Sequence, residues 1–171
     1  VAALSSDQAA ALTTAQVGTL KTSQIHALTS TQVGALSTSQ VGTLSAAQLG
    51  ALTTDNVAGL STTQIGALTS KSVTGLSTDQ IGALSSAQVG ALTTAQTAAL
   101  NSSQIGALST ADIAAFSTAD VAAISTTAVA GLSTADIGSF SSDQVQAVTS
   151  SQIAAMNTDQ VAAIIAAYHA S

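Results

Sequence analysis

Leu12-Thr13-Thr14-Ala15-Gln16-Val17 decides the fold. Thr13 can accept a hydrogen bond from the backbone N–H of Gln16, and the Gln16 side chain can reach back to the N–H of Thr13. That reciprocal pair is the S/T-x-x-E/Q capping box that starts a helix. Leu12 precedes the cap and Val17 stands one turn inside, so the two form a hydrophobic staple that fixes how the chain enters. The phrase then returns every eight residues. Its type form is Ile105-Gly106-Ala107-Leu108-Ser109-Thr110-Ala111, usually closed by Gln, and 21 octads fill residues 1–168.

Each octad is numbered here from 1 to 8. Position 1 is Val, Ile or Leu in 19 units, with Ala9 and Thr97 the exceptions. Position 4 is always apolar, from Leu4 through Phe116, Ile124, Phe140, Val148 and Met156 to Ile164. Position 5 is Ser or Thr in 17 units, and Asn101 and Asn157 are near-equivalents. Position 8 is Gln in 14 units and Asp112, Asp120 and Asp136 in three more. One capping box is a weak signal. The same box and staple held in register along the chain is a strong one.

Helix starts every eight residues cannot belong to one rod. An octad at about 100° per residue would swing the apolar seam around the helix by about 80° per repeat. Each octad is therefore expected to form its own helix of about six residues, roughly 9 Å long. Burying one Leu and one Val gives roughly 4–5 kcal/mol, whereas ordering eight residues costs on the order of 10 kcal/mol. A lone octad fails, and stacked octads share burial. The expected fold is all-α, a solenoid of very short capped helices, one per repeat. The alternative is a β-solenoid, since repeats of six to nine residues also build β-helices. Against it, the apolar positions are spaced three and then five, not two, and Ala and Gln suit strands poorly.

Gly or Ala at positions 2 and 3 suggests close backbone approach between successive helices. Mid-helix Gly costs up to about 1 kcal/mol relative to Ala, so the 12 glycines need such a reason. The expected organisation is a repeat solenoid over 1–156 and a longer C-terminal capping helix over 157–171. Ile165 stands where a cap residue would fall, and Tyr168 is placed to cover the open end of the coil. No matching N-terminal cap is seen, which leaves Val1, Leu4 and Leu12 exposed. The chain opens on Val1 and reads as a segment of something longer or a processed product.

Charged residues are 6% of the chain, Lys21 and Lys71 are its only Lys or Arg, and the net charge is −6. A nucleic-acid binder needs a basic stripe to displace counterions, so that class is excluded. No run of about 18 apolar residues occurs, so membrane insertion is not expected. There is no Cys, hence no disulfide framework or thiolate ligand.

No catalytic, metal-binding or cofactor-binding residue is nominated, no cofactor is called for, and the chain does not read as an enzyme. The only histidines, His26 and His169, stand near opposite ends of the array, too far apart for a shared triad. His26 reads as a surface substitution at position 2, and His169 as a residue near the C-terminus of the last helix, where the helix dipole suits it. The aspartates fall in first helical turns, where the dipole favours acids. Asn101-Ser102-Ser103 fits a glycosylation pattern, but capping accounts for Asn101. The hydroxyls at position 6 are not needed for capping and are expected on the surface.

The opening phrase Leu12–Val17 is similar to the first helix of TAL-effector DNA-binding repeats, and the likeness stops after six residues. More broadly, the L-[ST]-x-x-Q-[VI]-x-A octads resemble octapeptide-repeat tracts of large secreted or surface proteins of proteobacteria. That resemblance implies a structural role outside the cell or at its surface: a stalk, spacer or filament subunit. The expected partners are other copies or neighbouring repeats of a longer chain. The alternative is a repetitive binding module that uses its Ser/Thr ladder for a glycan or ice.

Overall fold

The computed structural model describes residues 1 and 3–170 of the chain; Ala2 and Ser171, both inside the expected boundaries, lie outside the described residues. Among these there are 19 α-helices, one 3-10 turn at Val129–Gly131 and no strand. The fold is the all-α solenoid, and the β-solenoid is not supported. Until the last helix, every α-helix is four to six residues long. Thr13 shows the start: it is extended at φ −72 and ψ 158, its Oγ1 accepts from Gln16 N at 3.2 Å, and Gln16 Oε1 accepts from Thr13 N at 2.7 Å. Position 4 is extended too, as at Leu68 with φ −60 and ψ 146. Two extended residues in a row thus turn the chain from one short helix to the next. No described residue has positive φ, so the glycines serve something other than left-handed corners.

Positions 1 and 4 form one continuous core along the axis. Val33, Val41, Ile105 and Ile113 are wholly buried, and Leu36, Leu60, Phe116 and Ile124 nearly so. Each helix packs on the third one along the chain: Ser6–Ala10 on Ser30–Gly34, Ser30–Gly34 on Thr54–Ala58, Ser70–Val73 on Thr94–Ala99. Contacts between turns run from 25 to 31 residues apart, so one turn holds between three and four octads. Every octad lies on a predecessor and under a successor, which supplies the shared burial that a lone octad lacks.

Close approach explains some glycines and not others. Added Cβ atoms at Gly75 and Gly131 would collide with the carbonyls of Ala46 and Ser102 one turn below, whereas nothing lies within 4 Å of one at Gly18 or Gly138. The pattern behind this is specific. Gly59, Gly75 and Gly131 are the glycines at position 3, and each follows by three residues a short residue at position 8 of the preceding octad, Asn56, Ser72 or Ala128. After Ser72 and Ala128 the turns close up until position 3 has no room for a methyl group, whereas at Gly59, after Asn56, an added Cβ would stand 3.6 Å from Ser30 Cβ of the turn below, an ordinary contact. The octad of Ala128 departs furthest: with no side chain to complete the box at Ser125, it makes a 3-10 turn instead of an α-helix.

After the Asn157 cap the chain runs straight as Thr158–Ala170. This helix packs on both Thr134–Gly138 and Ser142–Ala147. Ile164 is buried there, but Tyr168 is 61% exposed. The expectation that Tyr168 covers the end of the coil is corrected: the helix covers the last core layer with Ile164 and carries Tyr168 outward. At the other end Val1, Leu4, Leu12 and Leu20 are half-buried.

Candidate functional site

The most elaborate chemistry in the chain lies between turns, at position 8. Gln88 is 4% exposed. Its Oε1 accepts from Ser85 N at 2.8 Å, which completes the capping box. Its Nε2 points the other way and donates to the carbonyls of Val57, Ala58 and Leu60, at 3.2, 3.1 and 2.7 Å, one turn below. The Leu60 carbonyl belongs to an extended corner and has no helical partner, so this amide satisfies a buried acceptor that would otherwise be costly. One amide therefore starts a helix with its oxygen and locks two turns with its nitrogen.

The lock recurs along the coil. Gln40 reaches Leu12, Gln64 reaches Leu36, Gln104 reaches Leu76 and Gln160 reaches Leu132. Asn56, one carbon shorter, still reaches the Leu28 carbonyl at 3.3 Å. Gln8, Gln16 and Gln24 make the cap but are exposed, because the described chain places no turn beneath them. Sequence reasoning found the cap and missed the lock, since the capping box alone already accounts for a conserved-length amide at that spacing.

The three aspartates at position 8 behave differently from surface acids. Asp112, Asp120 and Asp136 are buried, at 4%, 3% and 5% exposure. Each Oδ2 accepts from both the N–H and the hydroxyl of its cap serine; for Asp136 and Ser133 these are 2.8 and 2.7 Å. The second oxygen of Asp112 accepts from Ser86 Oγ at 2.8 Å, and that of Asp136 from Thr110 Oγ1 at 3.0 Å. Some position 6 hydroxyls, expected only on the surface, thus bridge turns. Asp120 Oδ1 is buried without a partner. Thr97, at position 1, is also wholly buried with an unpartnered hydroxyl.

The histidines are not brought together. His26 Nδ1 lies 3.0 Å from the Ala51 carbonyl, so this side chain also ties one turn to the next and is more than a tolerated substitution. His169 lies beside Tyr168 in an edge-on ring contact at 6.3 Å. A groove of about 540 Å³ runs along the last helix, lined among others by Val145, Val148, Ile153, Ile165 and Tyr168. Among the described residues there is no group of three or more His, Cys, Asp or Glu placed to hold a metal ion. No helix among them is long and apolar enough to cross a membrane.

The pattern of turns has a counterpart among known families. The ALTTAQ repeat model matches residues 14–46, 41–70, 62–94, 73–110, 86–118, 113–150 and 134–164. The chain belongs to the ALTTAQ repeat family. These overlapping matches tile the coil, each spanning about one of its turns. No curated protein and no solved structure matches the chain. Family membership makes this a tandem-repeat protein, and the lock at position 8 is the physical content of the final Gln in the repeat.

Proposed function

We propose that this ALTTAQ array is a structural element, a stalk, spacer or filament segment working outside the cell or at its surface, and not an enzyme. The observation that carries the reading is the lock itself. The most specific side-chain chemistry in the molecule is spent on joining each turn to the next, and it is repeated rather than concentrated at one place. A chain built this way sets a length. Self-association, or packing against neighbouring repeats of the same kind, extends that length, and the half-buried Val1, Leu4, Leu12 and Leu20 offer apolar surface for it.

Small-angle scattering on arrays lengthened or shortened by whole turns tests the proposal. The maximum dimension should change by the same step for every turn added or removed, at constant cross-section. A dimension that saturates overturns the spacer. Sedimentation over a rising concentration range tests association, and a strictly monomeric species at high concentration removes the filament version. A second reading rests on the exposed hydroxyls at positions 5 and 6, such as Thr38 and Ser117. Retention on a glycan array or inhibited ice recrystallisation favours it over the spacer.

A further inference from the structure

One whole turn of the coil lacks the lock. Its four octads carry Asp112, Asp120, Ala128 and Asp136 at position 8. By the register of every other lock, these stand over the carbonyls of Leu84, Leu92, Leu100 and Leu108. None of the four side chains brings an N–H to those carbonyls. Reach is not the obstacle, because Asn56 has the length of Asp and still donates to the Leu28 carbonyl at 3.3 Å. At the acidic positions a carboxylate replaces the amide, so no N–H is delivered across the gap. Ser86 and Thr110 bridge the gap at its ends. In the middle, Asp120 Oδ1 is buried and unpartnered. Beside it, Ala128 offers no polar group to the gap, and Gly131 lies against the Ser102 carbonyl.

We propose that this gap is a built-in joint, at which the coil opens first, like one loosened gap in a spring. The parts before and after it act as two locked arms, and the Gly131–Ser102 contact is the pivot between them. In a quasi-one-dimensional array, opening one interface leaves the others intact. The weakest interface therefore sets where the array bends or yields. This inference concerns the coil itself and stands whether or not the spacer reading holds.

Hydrogen exchange on the full chain tests it. Val121, Val89 and Leu49 have buried side chains and equivalent helical amide bonds, at 3.0, 2.9 and 2.8 Å. Leu49 is about as far from the N-terminus as Val121 is from the C-terminus, so it controls for fraying. One net hydrogen bond of about 1 kcal/mol corresponds to about fivefold in opening. Ser86 and Thr110 stand in for the amide at Asp112 and Asp136. The two positions without a substitute, Asp120 and Ala128, thus predict that Val121, and Val89 across the gap from it, exchange about 25-fold faster than Leu49. The triple change Asp112→Gln, Asp120→Gln, Asp136→Gln should slow Val121 and Val89 toward the Leu49 rate. The reciprocal change Gln40→Asp, Gln48→Asp, Asn56→Ala, Gln64→Asp should create a second joint and speed Leu49 by a similar factor. Equal rates at Val121 and Leu49 in the unmodified chain overturn the proposal. So does a reciprocal variant that folds and leaves Leu49 as slow as before.

Discussion

Two consecutive turns differ mainly in one functional group. The turn carrying Gln80, Gln88, Gln96 and Gln104 rests on the carbonyls of Leu52, Leu60, Leu68 and Leu76, and every one of these receives an amide. The next turn carries Asp112, Asp120, Ala128 and Asp136 and delivers none. Both turns bury their apolar positions equally well: Leu92 and Leu108 are each 6% exposed. Both retain capped helices at the acidic octads. Burial and capping therefore build the coil, while the amide decides how firmly one turn holds the next.

The largest expected effect should not distinguish the turns. Leu92→Ala and Leu108→Ala should each destabilise by about 2–5 kcal/mol through a cavity in the shared core. Denaturant unfolding of both variants checks this. A small loss at Leu108 alone would mean that the second turn is poorly packed, not merely unlocked. The next effect should separate them. Gln88→Ala removes both the cap acceptor and the lock and should cost about 2–3 kcal/mol, whereas Asp120→Ala should cost less than about 1 kcal/mol. Equal losses break the comparison.

Caps should again be alike. Ser85→Ala and Ser109→Ala should each cost about 1 kcal/mol, seen as a lower denaturation midpoint with an unchanged slope. The smallest effects run the other way. Thr97→Val keeps the shape and removes a buried hydroxyl without a partner, and should stabilise by up to about 1 kcal/mol. Gly18→Ala, where an added Cβ meets nothing, should also stabilise, by about 0.5–1 kcal/mol. Thermal melts of both resolve the sign. A destabilised Thr97→Val would show that its hydroxyl has a role in the core.

The part of the fold that is local in sequence was legible. Ser or Thr three places before Gln announces each helix, and positions 4 and 1 announce its staple. What crosses between turns was not. The donors and acceptors of the lock lie 28 to 31 residues apart, and nothing in an octad states how many octads make a turn. The buried state of Asp112, Asp120 and Asp136 was hidden for the same reason, since a first-turn acid is explained equally well by the helix dipole. Tyr168 was misplaced because an aromatic near the end of a helix says nothing about which way the helix leaves the coil. One signal was present and overlooked: Gly59, Gly75 and Gly131 stand three residues after Asn56, Ser72 and Ala128, a pairing visible in the letters alone.

The acceptors of the lock are main-chain carbonyls, and this has a consequence for how such a chain can change over time. A main-chain acceptor is the same in every octad, whatever its side chains. Each turn thus recognises the path of its predecessor and not its wording. Octads can be duplicated, lost or shuffled by recombination without rewriting their neighbours, provided whole multiples of eight residues move together. A single inserted residue, by contrast, would shift every amide of the turn above it against its target. Length in this molecule is free to drift in quanta, and frame is not.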